Sequence, residues 1–200
     1  MIKLEQKHER ENKLDPRVES LAIPLARDYA EKNYAKIGED ENDNSVFEPA
    51  WRGVNGEKWL KNKSPEEIAS ELVAEGWIRG AAKSQAEVSV IDIANQSYDE
   101  YSDYWKEQNR GGAKFLISVL DERGSSVISG LDLTDPKTRS EYGTLIHDAW
   151  IANNEWVKDP EYGNPELAKP FSELSDKEAQ KDIDQLAVLQ AWLADSDNIR

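Results

Sequence analysis

The chain has 200 residues, enough for one large domain or two small ones, and 38% of them are hydrophobic. It carries 40 Asp and Glu against 25 Lys and Arg, a net charge of −15 that disfavours binding to a nucleic-acid backbone or an anionic membrane. Cysteine is absent, which excludes disulfides, thiolate metal sites and a cysteine nucleophile. Since no apolar segment reaches the ~20 residues of a membrane span and the start lacks a signal-peptide pattern, we expect a cytoplasmic protein.

Residues 1–60 predict an N-terminal extension with a loose arm, one helix and an acidic loop. The arm covers residues 1–15, which are charged and lack periodicity. The helix is predicted over 24–36, because Pro24 favours the first turn of a helix. Residues 38–57 are rich in Gly, Asn and Pro, which is typical of a loop. Their acids lack the spacing of an EF-hand, so we expect no metal site there.

Serine capping signals predict three helices in the next part of the chain. Ser64 and Ser84 begin capping boxes, which favour helices ending near Arg79 and Asn95. Ser102 caps the third helix. No segment predicts a strand.

The third helix is followed by a predicted boundary and two further helices. Gly111 and Gly112 weaken the middle of the third helix, because glycine is a poor helix former. Residues 121–133 contain glycines and serines between periodic segments and form the predicted boundary. Beyond it, capping signals predict helices over 135–154 and 175–193.

The chain is similar to itself at an offset of 73 residues. The matching pairs are Trp77 with Trp150, Tyr98 with Phe171, and Ser102 with Ser175. We therefore expect one duplicated helical hairpin, with units at 61–121 and 134–200. The alternative is chance similarity between two capping boxes.

The second unit resembles the ryanodine-receptor-type (RyR) domain between about Tyr142 and Leu193. Its matching residues are, in order, His147, Trp150, Trp156, Pro165, Leu167, Pro170, Phe171 and Leu174. The first unit, with Asn109-Arg110, is similar to the closing part of the same pattern. Asp182-Ile183 departs from the Asn-Arg of the family, and Glu155 stands where the family has glycine. The resemblance implies an all-α fold of two RyR-like helical hairpin units with an N-terminal helical extension.

The resemblance also implies a binding role rather than a catalytic one. RyR-type relatives in bacteria and phages resemble sensors or binders of nucleotide-derived signals. We therefore expect non-catalytic capture of a cyclic nucleotide or ADP-ribose-type molecule, with no metal and no cofactor. A phage protein that sequesters a host defence signal would fit this role.

Two alternatives stay open. The acidity of the chain also fits a protein–protein inhibitor, including a mimic of DNA, and either a protein partner or a homo-oligomer is compatible with the sequence. The second alternative is an enzyme acting on a nucleotide, although the sequence has no phosphate-binding loop or nucleophile elbow.

Aromatic rings close to cations form the predicted ligand site. The candidate residues are Tyr98 and Trp105 for stacking, Arg110 and Lys114 for phosphate contacts, and His147, Trp150, Asn154 and Trp156 in the second unit. The alternative for the cations is an ordinary solvated helix face. The alternative for His147 is a core ring bonded to a backbone carbonyl.

Overall fold

The computed structural model describes residues 15–54, 56, 67, 90–161 and 163–195. This part of the chain is mostly helical, as expected. Its helices are α1 (Pro16–Asn33), α2 (Asp103–Arg123), the short α3 (Ser125–Ser129), α4 (Pro136–Asn153) and α5 (Asp176–Ala194). None of the helices in the described ranges is long and apolar enough to cross a membrane.

The four long helices pack around one core. Helix α1 packs against α2 and α5, and α4 packs against the same two helices. Leu21, Leu116, Leu186 and Leu189 are fully buried between them, and each contributes about 1.5–3 kcal/mol by leaving water. Helix α1, from the predicted extension, therefore shares its core with both predicted units.

Polar contacts at both ends of α1 fix its antiparallel alignment with α5. Near the start of α1, the Ser20 hydroxyl lies 3.0 Å from the indole nitrogen of Trp192. Near its end, the Lys32 ammonium lies 3.1 Å from the Asp184 carboxylate. The end of α1 therefore lies beside the start of α5.

The predicted start of α1 at Pro24 is wrong, because the helix begins at Pro16. The Asp15 carboxylate accepts the Arg17 N–H at 2.9 Å and caps this start. Pro24 lies inside the helix, where it lacks an N–H for the usual bond to the preceding turn. Burial of Leu21 and Leu25 on both sides of it holds the helix together. The rest of the predicted arm, 1–14, lies outside the described residues.

The all-α expectation is wrong in one respect, because two small antiparallel sheets are present. One pairs β1 (Lys36–Glu39) with β2 (Ser45–Phe47), and the other pairs β3 (Trp51–Gly53) with β4 (Val90–Asp92). These strands have three or four residues each, too few for an alternating pattern to be visible in the sequence.

The acidic loop forms the turn of the β1–β2 hairpin. The Asp40 carboxylate accepts the backbone N–H groups of Asn42 and Asn44 at 2.8 and 2.9 Å. These hydrogen bonds, with one from the Asn44 side chain, lower the pKa of Asp40. The carboxylate therefore stabilises a turn.

The predicted helix from Ser84 to Asn95 is wrong at its end, where β4 and a turn are found instead. The Asp92 carboxylate accepts the N–H of Ala50 at 2.8 Å. The Asn95 amide accepts the Phe47 N–H at 2.8 Å and donates to its carbonyl at 3.0 Å, as a paired strand would. These side chains join the two sheets. Residues 84–89 and nearly all of the helix predicted from Ser64 to Arg79, including Trp77, lie outside the described residues.

The three later helix starts are confirmed. The side chains of Ser102, Asp135 and Ser175 each accept a backbone N–H from the first turn of α2, α4 and α5. Helix α2 runs through Gly111 and Gly112 without a break. The predicted boundary at 121–133 contains the last turn of α2 and the whole of α3.

The two capped segments share one local structure. Tyr98 and Phe171 each begin a 3-10 turn and are buried, and the serine four residues later caps a long helix. The cap residues Ser102 and Ser175 have almost equal backbone angles, φ −62° with ψ 160° and φ −63° with ψ 153°. This similarity supports a duplication, which stays a prediction because the helix before Tyr98 lies outside the described ranges.

Gly143 and Gly111 offer a matched test of the packing. A Cβ on Gly143 would lie 2.2 Å from the Phe171 ring, whereas one on Gly111 would meet Asn153 at 3.8 Å, an ordinary contact. We expect Gly143→Ala to lower the free energy of unfolding by about 1–3 kcal/mol. Gly111→Ala should raise it by about 0.5–1 kcal/mol, because alanine favours a helix. Urea unfolding measures both, and equal stabilisation by the two changes would contradict the contact between Phe171 and Gly143.

Candidate functional site

A cleft of about 470 Å³ opens where the C-terminal halves of α1 and α4 meet the N-terminal halves of α2 and α5. Its size is typical of a small-molecule site. Aromatic rings from these helices and their flanking segments line it: Tyr29, Tyr34, Tyr101, Tyr104, Trp105, Phe115, Trp150 and Trp156. The cleft is therefore a largely aromatic surface between all four long helices.

Five of the eight predicted ligand residues line this cleft. They are Trp105, His147, Trp150, Asn154 and Trp156. Tyr98, Arg110 and Lys114 do not line it. The structure thus brings one predicted stacking ring from the first unit to the residues predicted in the second. Lys114 lines a neighbouring cavity that shares Gln108 and Asn153 with the cleft.

Trp150, Asn154 and Trp156 hold one another in place. The Asn154 amide donates to the Trp150 carbonyl at 2.9 Å and accepts the Trp156 indole N–H at 2.9 Å. The two indole rings lie edge to face, 6.2 Å apart. Because Asn154 is buried and both ends of its amide are engaged, it positions the two rings rather than offering polar atoms to a ligand.

His147 is a core residue whose two ring nitrogens both have neighbours. Its Nε2 lies 2.9 Å from the Lys169 carbonyl oxygen, and its Nδ1 lies 3.1 Å from Asp182 Oδ2. Since a carbonyl only accepts, Nε2 must donate to it. Only 2% of His147 is exposed, so its nitrogens are not available to a ligand. Its ring stacks against Trp150 at 6.1 Å and supports that wall of the cleft.

Arg110 and Lys114 are engaged by carboxylates beside the cleft. Two Arg110 nitrogens lie 2.6 and 2.9 Å from the Glu19 carboxylate, and a third lies 2.9 Å from Glu107. Lys114 lies 3.2 Å from the same Glu107. Tyr98 is buried close to this group, and burial together with the Glu19 charge raises its pKa to about 12. The geometry thus favours an ion-pair network between α1 and α2 over a phosphate site.

Trp105 is anchored to the second sheet. Its indole N–H donates to the Gly53 carbonyl at 2.9 Å, and the Ser102 hydroxyl donates to the Val54 carbonyl at 2.6 Å. These bonds fix β3 against the start of α2. They also place Arg52, which lies between Trp51 and Gly53 on β3, in the lining of the cleft.

Sequence reasoning missed several polar side chains of the cleft. The amides of Gln108, Asn153 and Gln185 line it and hydrogen-bond to no other described residue. Arg52 also lines it, and its only side-chain hydrogen bond within the described ranges is from Nη1 to the Trp51 carbonyl at 2.8 Å. The helical position of Gln108, three residues after Trp105, was a usable signal. Arg52 had none, because its strand was not predicted.

Carboxylates of the cleft lining each face a basic group. Asp28 and Asp184 lie 2.9 and 3.1 Å from the shared ammonium of Lys32. Glu178 lies 2.8 Å from Lys181. Asp182 faces His147, as described above. The described part of the lining therefore offers a ligand no pair of unengaged carboxylates.

No group of three or more His, Asp or Glu side chains suited to a metal ion occurs among the residues that the structure describes. Comparison of the chain with known protein families, curated proteins and solved structures gave no match.

Asp182 makes the site sensitive to pH. Burial raises its pKa to about 6, although the adjacent His147 acts in the opposite direction and Glu178 and Lys181 add smaller effects. Because the fold favours protonated Asp182, its contribution to stability is complete below the unfolded value of 3.8 and is lost as the pH rises through about 6.

This contribution can be isolated by comparison with Asp182→Asn, which cannot ionise. We expect the free energy of unfolding of the wild type, minus that of Asp182→Asn, to fall as the pH rises from 3.8 to about 6. Urea unfolding at a series of pH values measures this difference. A difference that stays constant or rises would show that Asp182 is not held in a protonation-favouring environment.

Proposed function

We propose that this protein captures a small nucleotide-derived molecule in the cleft without transforming it. The observation that carries the proposal is the convergence of aromatic rings and unengaged side-chain amides in one cleft of about 470 Å³. We also propose kinship with RyR-type domains, supported by the grouping of His147, Trp150 and Trp156 around this cleft. A phage protein that sequesters a host defence signal is the biological setting that we propose.

The rings supply surfaces on which a nucleobase can stack. Trp150 and Trp156 lie edge to face at 6.2 Å, so a planar ligand can lie along one ring and meet the edge of the other. Asn154 accepts the Trp156 indole N–H, and the Trp150 ring stacks on the buried His147, so both rings are supported from the core. Stacking of a base on an aromatic side chain is worth about 1–3 kcal/mol.

The amides supply hydrogen bonds that can read the edge of a base. Asn and Gln donate and accept at neighbouring atoms, which matches the alternating donors and acceptors of nucleobases. Gln108 and Gln185 are half-buried in the cleft, and Asn153 lies at its exposed side. A Cβ on Gly111 would lie 3.8 Å from the Asn153 amide, and one on Gly112 would lie 3.3 Å from the Gln185 amide oxygen, so these glycines let the two amides lie close to the α2 backbone.

The engaged state of the ionisable groups supports a non-catalytic role. General acid–base catalysis needs a group within hydrogen-bond reach of the reacting atoms. His147 is buried with both nitrogens occupied, and the carboxylates of the described lining are paired with basic groups. We therefore expect the ligand to leave the protein chemically unchanged.

Calorimetry against cyclic dinucleotides, cyclic mononucleotides and ADP-ribose derivatives tests this function. We expect at least one member to bind and to be recovered unaltered by chromatography. Trp156→Ala should weaken its binding by about 1–3 kcal/mol, because a stacking surface is lost. Trp156→Phe is the matched control, since it keeps a ring at the same position and should retain most of the affinity.

Three other results would contradict the proposal. Absence of binding across the panel, with capture of a basic nucleic-acid-binding protein instead, would favour the acidic inhibitor. Consumption of the bound molecule would make the protein an enzyme. Equal affinity for the wild type and Trp156→Ala would place the ligand outside the cleft.

A further inference from the structure

We propose that Arg52 is the anion-binding residue of the cleft, and that the site therefore selects nucleotides carrying one phosphate group over those carrying several. This inference rests on the proposed function and names the class of ligand within it. In this inference the residue that contacts the phosphate is Arg52 on strand β3, in place of Arg110 and Lys114 on α2, which the sequence had predicted.

Arg52 is held in place, and no carboxylate of the described ranges forms an ion pair with it. Its backbone pairs with Ile91 of β4, and the neighbouring Gly53 carbonyl accepts the Trp105 indole N–H at 2.9 Å. Its guanidinium is half-buried and bonds only to the Trp51 carbonyl among described residues. Four of its five N–H donors thus have no partner in the part of the chain that the structure describes, and a guanidinium can offer two of them to two phosphate oxygens.

The aromatic rings beside Arg52 give its charge a partly desolvated setting. Tyr34 and Tyr101 line the same cleft and are largely buried. Burial is the main reason why the pKa of Tyr34 is raised, and the Arg52 charge acts in the opposite direction. A guanidinium in such a setting attracts an anion more strongly than one surrounded by water.

The other charges of the cleft limit the ligand to one anionic group. Asp28 and Asp184 share the single cation of Lys32, so this group has a net charge of −1. Glu178 and Lys181 neutralise each other. Within the described lining, Arg52 is consequently the cation without a carboxylate partner. A second or third phosphate would lie near excess negative charge, in a protein whose net charge is already −15.

The row of cations on α2 does not offer a second anion site. Arg110 donates to Glu19 and Glu107 through all three of its nitrogens, and Lys114 lies 3.2 Å from Glu107. A phosphate at Arg110 would have to displace a two-point contact with Glu19, which has the same geometry that a phosphate would adopt. Arg110→Gln is therefore a matched control in which one arginine of equal charge is removed outside the cleft.

Calorimetry with two series of ligands of increasing charge tests the inference. The series are adenosine, AMP, ADP and ATP, and guanosine, GMP, GDP and GTP, measured with the wild type, Arg52→Gln and Arg110→Gln. We expect the monophosphate to bind most tightly in at least one series. Arg52→Gln should lower the affinity for that monophosphate by about tenfold or more and leave the affinity for its nucleoside within about twofold.

The outcomes separate this inference from the proposed function. If affinity rises steadily from the nucleoside to the triphosphate, or falls in Arg110→Gln and not in Arg52→Gln, the cleft binds nucleotides but Arg52 is not its anion site. If the nucleosides and nucleotides of both series fail to bind, the role of Arg52 is contradicted. The nucleotide function is itself contradicted when the panel of cyclic nucleotides and ADP-ribose derivatives also fails to bind. Unchanged circular dichroism and melting of Arg52→Gln exclude unfolding as the cause of a lost affinity.

Discussion

The buried contact between His147 and Asp182 determines how α4, α5 and the segment between them meet. The imidazole lies 3.1 Å from the carboxylate of α5 and 2.9 Å from the Lys169 carbonyl, so one ring joins three parts of the chain. Since Nε2 donates its proton to the carbonyl, the contact between Nδ1 and Asp182 holds at most one proton, which either of the two groups can carry. Desolvation makes an unpaired charge at this depth costly, which ties the position of α5 to that of α4. The wall formed by Trp150 depends on this arrangement, because its ring stacks on His147.

The placement of the few cations follows from the acidity of the chain. With 40 Asp and Glu against 25 Lys and Arg, many basic groups of the described ranges have a carboxylate within reach, among them Lys32 on α1, Arg110 on α2 and Lys181 on α5. An anion site in such a protein needs a cation that the local geometry keeps away from carboxylates. Among the described residues Arg52 on β3 has no carboxylate partner, and the strand itself is fixed by its pairing with β4 and by the Trp105 indole N–H. The short sheets therefore matter for the proposed site as much as the helices do.

Capping residues made the later helices predictable, because a serine or aspartate that bonds to the first turn acts locally. Ser102, Asp135 and Ser175 caused helices to begin at the expected places. The strands were not predictable, since Asn95 and Asp92 stabilise them through contacts with residues more than 40 positions away. The residues of the site likewise divide into those placed by local sequence and those placed by contacts between distant parts of the chain. The grouping of His147, Trp150 and Trp156 was predictable from one segment, whereas the engagement of Arg110 by Glu19 and the exposure of Arg52 to the cleft depend on how distant parts of the chain fold together.

Native mass spectrometry of the intact chain, purified from the cells that make it and then mixed with their small-molecule extract, tests the central claim most directly. The account predicts a complex whose extra mass is that of one nucleotide-derived molecule, released unaltered on denaturation. The complex should be absent when Trp156→Ala is treated in the same way. A chain with no added mass, both as purified and after mixing with the extract, would contradict the claim that the aromatic cleft is a binding site for such a molecule. An identical complex with Trp156→Ala would contradict it as well.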